Sequence, residues 1–299
     1  MSSIQKRGLI CGVLGAASWG ASGTCGQFLF QNYPVDSFWL TAFRMSCSGA
    51  ILFALSWLRQ KNELRRFLTN RRSLAELAAF SVFGLLLSQL AYLTAIQYSN
   101  AGTATVLQSL SIVLITILFY IRRRTLPPRM QLLAILLAFL GIFFVATQGN
   151  PATLAITPRG LIWGLAAAAG AAGYCLLSGS LIDRWGSTAV CGSGMLIGGL
   201  VFSLVIAVWK LPPLDLRGWI LIACIILLGT VIAYTLFLQC IHDLGPVNGN
   251  LLAGIEPLTA TALSALLLHS RFTAADLIGF VCILSAAAML NLTAQSDPA

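Results

Sequence analysis

Ten times along this chain a run of roughly 20 apolar residues is bounded by charge, Pro or Asn, and such a run, coiled as a helix, spans the hydrocarbon core of a bilayer. The runs begin near Gly8, Val35, Leu74, Ala101, Met130, Arg159, Thr188, Arg217, Pro246 and Thr273. Lipid offers a backbone no hydrogen-bond partner, so runs of this kind must be helices. Composition closes the alternatives: 58% of the 299 residues are apolar and only 9% charged, against about 25% charged in a soluble protein. The expectation is an all-α membrane protein of ten transmembrane helices, with short loops and no separate soluble domain. The seventh run, loosened by Gly192, Gly194, Gly198 and Gly199, and the tight junction at Asn100 are the least sharply bounded.

A net charge of +9 raises nucleic acid as a partner, but the basic residues sit between the apolar runs. Arg59, Lys61, Arg65, Arg66, Arg71 and Arg72 are expected to fill one loop, and Arg122, Arg123, Arg124 and Arg129 another. Positive loops face the cytoplasm. The N-terminus, with Lys6 and Arg7 before an apolar run that reads as a retained first span, is therefore placed inside, as is the C-terminus, and no nucleic-acid partner is expected. The second half leans slightly the other way, through Arg159, Lys210, Arg217 and Arg271. All eight cysteines lie within or beside apolar runs without a CxxC pair and read as small hydrophobes. With only His242 and His269 besides, no metal site and no cofactor are expected.

The chain also repeats. Gly8, Leu9, Ile10 and Gly12 recur 152 residues on as Gly160, Leu161, Ile162 and Gly164, and Leu107, Thr116, Leu118 and Leu132 recur 145 residues on as Leu252, Thr261, Leu263 and Leu277. The displacement divides the spans into two sets of five, residues 1–150 and 151–299. An odd number of spans per unit inserts the second unit upside down, the inverted-repeat plan of many secondary transporters.

Charge inside a span is costly, about 2.5–3.5 kcal/mol at a helix centre, and two residues incur that cost: Glu256 near the middle of the ninth span and Arg44 inside the second. Glu256 precedes Pro257, which lacks an N–H and frees a carbonyl one turn earlier. It is either a proton or cation contact at transporter-site depth or a protonated group bracing a kink. Arg44 either serves the same machinery or is satisfied by a carbonyl or by snorkelling. Polar and aromatic mid-span residues complete the candidate set. Trp19 and Ser22 share a face of the first span and map by the repeat onto Ala171 and Tyr174. Gln89 and Tyr92 share a face of the third, with Gln89 mapping onto Tyr234. Gln108 and Ser111 share a face of the fourth, with Ser111 mapping onto Glu256. Lined up by the repeat, these faces are expected to enclose one central cavity. Trp39, Trp57, Trp185, Trp209 and Trp219 read as an interfacial belt, and the Gly8/Gly12, Gly160/Gly164 and Gly194/Gly198 pairs as close-packing faces. No nucleophile elbow, HExxH or phosphate-binding loop is present, so no enzyme is expected.

The segments Ser18-Trp19-Gly20, Gly254-Ile255-Glu256-Pro257-Leu258 and Leu266 through Arg271 to Gly279 resemble the EamA-like branch of the drug/metabolite transporter superfamily. The family's usual Gly-Glu pair after span nine is Ser270-Arg271 here, and Ser111-Ile112 stands where a second Glu-Pro would fall. The resemblance implies two inverted five-helix repeats with both termini cytoplasmic in the cell membrane. It also implies export of amino acids or similar small metabolites and drugs by alternating access, with Glu256 in conformational or proton-linked duty. The fifth and tenth spans become lipid or homodimer faces. A nucleotide-sugar or phosphorylated-metabolite carrier is the nearest alternative and a channel a more distant one.

Overall fold

A computed structural model describes residues 3–151 and 154–293, with the side chains of residues 246, 247 and 250 outside the described set. Of the described residues 87% are helical, and among them there is no strand. We number the helices α1 (Ser3–Asn32), α2 (Ser37–Thr69), α3 (Arg71–Tyr98), α4 (Ala101–Arg123) and α5 (Arg129–Thr147). They continue as α6 (Pro158–Trp185), α7 (Ser187–Ile206), α8 (Leu216–Gly245), α9 (Leu251–Leu268) and α10 (Ala274–Thr293). Among the described residues, α2 to α10 are long and apolar enough to cross a membrane. The outward faces agree: Leu133, Leu136, Phe139 and Phe143 of α5, Leu204 and Val205 of α7 and Val281 of α10 are exposed, as only a lipid-facing surface tolerates. Helix α1 is more polar and buries Gly12, Gly15, Gly20, Ser22, Thr24 and Gln27 against its neighbours, while Ile10 and Leu14 stay exposed on its other face.

The boundaries follow from local chemistry. The side chains of Asp36, Asn70, Asn100, Thr157 and Asp215 each accept a hydrogen bond from an N–H in the first turn of the helix that follows, satisfying donors that a helix start leaves orphaned. Outside the spans, the N–H of Gly218 and the hydroxyl of Tyr33 hold the Asp215 carboxyl below the usual carboxylate range. At the other ends, Arg124, Gln148, Ala207 and His269 take left-handed conformations that stop α4, α5, α7 and α9.

Helix α1 lies along α8 and touches α9, α4 and α3; α6 lies along α3 and touches α4; α2 packs on α7 and α5 on α10. The main pairings, α1 with α8 and α9, α6 with α3 and α4, α2 with α7 and α5 with α10, map onto one another when each of the first five helices is exchanged with the one five places later, whereas the contacts of α1 with α3 and α4 have no such counterpart. Two stretches of π-helix interrupt the bundle, Phe80–Leu86 in α3 and Leu227–Ile232 in α8, displaced from each other by 146–147 residues. The tight α2/α7 contact rests on glycine: a Cβ on Gly49 would strike the Leu196 backbone, and one on Gly199 would come within 2.5 Å of the Ser46 nitrogen.

Three expectations need correction. The basic stretch from Arg59 to Arg72 is not a loop: α2 continues to Thr69, bent at Gln60 (φ −141°, ψ 47°), and α3 starts at Arg71. Amphipathic packing explains this, because Leu64 and Phe67 are buried and carry the extension against the bundle. Trp39 and Trp185 leave the interfacial belt: Trp39 is 7% exposed and donates to the Val208 carbonyl at 2.8 Å, while Trp185 donates to Ser73 Oγ. Glu256 lies not mid-helix but in the first turn after a break at Gly254. Pro257 therefore costs no internal hydrogen bond, and the helix dipole favours a negative charge there. Directly after Gly245, whose left-handed φ of +83° turns the chain, helix resumes and runs to Ala253, so the ninth run starts where the sequence places it, near Pro246.

Candidate functional site

A cavity of about 170 Å³ opens among α1, α2, α3, α4, α6, α8 and α9. Helix α2 joins it through Arg44, beyond the six helices the repeat pattern points to. Trp19, Ser22, Gln89, Tyr92, Gln108, Tyr174 and Tyr234 come together on its wall with Arg44 and Glu256. Ser111 does not line it: Ser109 and Leu110 form a tight turn between Gln108 and Ser111 that divides α4. Pro257 is buried behind Glu256, outside the lining. Leu85, Ser88, Ala171 and Cys175 are further lining residues, and of these only Ala171 falls on a repeat-mapped face.

Close helix approach positions Glu256. A Cβ on Gly20 would come 2.7 Å from the Glu256 carbonyl oxygen and 2.8 Å from the Ala260 nitrogen, so the glycine after Trp19 lets α1 meet α9 backbone to backbone. Trp19 packs edge-on to Tyr234, ring centroids 5.5 Å apart at 86°, and against Phe237 at 4.9 Å. Thr105 Oγ1 donates to the Ala101 carbonyl at 2.7 Å, so the Tyr92 hydroxyl donates in its turn to Thr105 Oγ1 at 3.0 Å. The Tyr174 hydroxyl lies 3.4 Å from Cys191 Sγ, and Gln108 donates to Ser88 Oγ at 3.3 Å.

The π-helical part of α8 and the turn just before it supply carbonyls to this site. Ser22 Oγ donates to the Ile225 carbonyl at 3.2 Å and Arg44 Nη2 to the Gly229 carbonyl at 3.1 Å. Such turns depart from the regular i→i+4 ladder and recur at functional sites.

At one end of the bundle Arg7 grips Asp243 with two bonds of 2.8 Å, and Arg184 bridges to Glu76. Near the other end Gln27, 2% exposed, ties three elements together. Its oxygen accepts from the Ala101 N–H and Ser264 Oγ, both at 2.9 Å, and its amide donates to Ser270 Oγ at 2.8 Å. The mid-span pattern did not mark Gln27; a lone amide in an apolar run was its only signal. A second cavity of about 270 Å³, lined by Arg59, Cys191, Gln239 and His242 among others, reaches Tyr234 from the Arg59 side. Tyr234 thus forms part of both linings. Among the described residues no cluster of His, Cys, Asp or Glu is able to hold a metal.

Fold and cavity define a polytopic helical membrane protein with a partly open cavity of mixed aromatic and polar lining inside the bundle. The sequence matches the EamA-like transporter family over residues 6–147 and again over 158–292, so the chain belongs to that family of multi-span membrane transporters, within the drug/metabolite transporter superfamily. It is 34% identical over 97% of both chains to the uncharacterized inner membrane transporter YicL of Salmonella typhimurium. It is 22% identical to the uncharacterized transporter YetK of Bacillus subtilis, over 89% of this chain and 81% of the other. A solved crystal structure, described only as that of a protein, superposes over 99% of each chain with a TM-score of 0.61 at 18% identity, a likeness of fold alone.

Proposed function

We propose that the chain is a secondary active exporter of amino acids or similar small metabolites and drugs, working by alternating access around the central cavity. In this reading it is built of ten spans as two inverted five-helix repeats, residues 1–150 and 151–299, with both termini in the cytoplasm. The observation that carries it is the convergence of Trp19, Tyr92, Tyr174 and Tyr234 with Arg44 and Glu256 on one small chamber inside the bundle. Aromatic walls with a few polar groups are the usual make-up of a small-molecule site. The correspondence of the main helix pairs under exchange of the two halves supports the repeat, and the absence of a nucleotide-binding motif favours an ion gradient over direct ATP drive. A nucleotide-sugar or phosphorylated cargo calls for several cations, and the lining offers Arg44 alone.

The test is efflux of a labelled amino-acid and drug panel from proteoliposomes, with and without a pH gradient. Efflux of at least one amino acid, accelerated by the gradient, is expected. Glu256→Gln is expected to abolish the acceleration, and a variant with unchanged rate and pH response removes Glu256 from the coupling.

A further inference from the structure

Arg44 is 6% exposed and lines the central cavity. A guanidinium carries five donors, and one of them is used: Nη2 donates to the Gly229 carbonyl at 3.1 Å. The ion pairs among the described residues involve Arg7, Arg72, Arg184 and His242, not Arg44. Glu256 lines the same cavity, and its carboxylate too makes no hydrogen bond or ion pair with a described residue. Two opposite charges thus share one chamber without meeting. A buried guanidinium without a carboxylate in contact is expensive, and here it borders a space that admits a small molecule.

The π turn of α8 positions Arg44. The Gly229 carbonyl holds the guanidinium on the α8 side, and position 229 has room for no side chain: an added Cβ would collide with Ser22 Oγ and sit 3.1 Å from Arg44 Nη2. Arg44 is thereby fixed with its remaining donors free, which suits the planar, two-oxygen geometry of a carboxylate. A single cation matches a monovalent anion.

Resting on the transporter reading above, we infer that Arg44 is the anchor for the carboxylate of a zwitterionic cargo, with Glu256 receiving the cargo's ammonium group and Gly229 acting as the positioning residue for Arg44. The aromatic walls then meet whatever side chain lies between.

The experiment uses the full chain in proteoliposomes and three matched pairs: phenylalanine and phenylalaninamide, leucine and leucinamide, threonine and threoninamide. Each unlabelled compound competes against its own labelled amino acid. The amide keeps the amine and the side chain and has a neutral NH2 group in place of the anionic oxygen. For at least one pair the acid is expected to compete at least tenfold more tightly than the amide. Equal competition by acid and amide overturns the assignment while leaving the transporter reading intact. Failure of every acid to be transported overturns both the assignment and amino-acid cargo. This comparison is made on the unaltered protein, so it does not depend on a variant folding. Arg44→Gln is then expected to erase the acid-over-amide preference while amide competition persists, with Arg44→Lys retaining part of it. Gly229→Ala is expected to narrow the same ratio by displacing the guanidinium. A preference unchanged in Arg44→Gln refutes the anchor, and one unchanged in Gly229→Ala refutes the positioning role.

Discussion

Gly20 shows how a residue without a side chain shapes the chamber. It lets α1 approach the α9 backbone at the turn that carries Glu256, and the atoms it faces are main-chain atoms that cannot rotate aside. Gly20→Val is therefore expected to destabilise by about 1–3 kcal/mol, the usual range for overpacking. Thermal unfolding in detergent checks this, and an unchanged midpoint refutes the close approach. Arg44 and Glu256 were legible in the sequence because a charge within an apolar run stands out on cost alone. Gln27 was not, because the cost of a neutral amide is smaller and its three partners lie on segments distant in sequence. Ser111 was misjudged for a related reason: its spacing from Gln108 assumes an unbroken helix, and the turn at Ser109 and Leu110 breaks it.

Helix ends were readable where the sequence places a capping side chain. Asp36, Asn100 and Asp215 stand at the starts of α2, α4 and α8 and bond the first turns that follow them. The helical run through Arg59–Thr69 was hidden because the exposed face of a helix and a polar loop have the same composition, and only Leu64 and Phe67 betray the packed side. The π segments left no compositional trace at all, since they differ from α-helix in hydrogen-bond register and not in residue type. One element-level prediction concerns the partition between the two cavities, to which Tyr234 contributes its ring. Tyr234→Ala is expected to join the chambers and raise downhill leakage of labelled phenylalanine from proteoliposomes. Leakage equal to that of the parent protein excludes this ring as the divider.

For the whole molecule, the class was fixed by run length and the shortage of charge, and the exposed apolar faces of α5, α7 and α10 express the same constraint in three dimensions. The order in which helices pair was not readable run by run, because a few residues recurring at 145- or 152-residue spacing do not say which faces they join. The cytoplasmic placement of both ends is testable with a reporter at each terminus: both are expected to report from the side of the basic clusters, and opposite sides would dismantle the inverted arrangement. The two π segments also decide where the chain can lose a residue. A π turn holds one residue more than the α-helical turn it replaces, and one residue of α-helix is about 100° of rotation. A deletion between Phe80 and Leu86 thus consumes a surplus, whereas one in the regular part of α3 turns every later side chain away from its present neighbours. The same holds for Leu227–Ile232 in α8, so each half of the protein carries one stretch with a spare residue, set close to the chamber it serves.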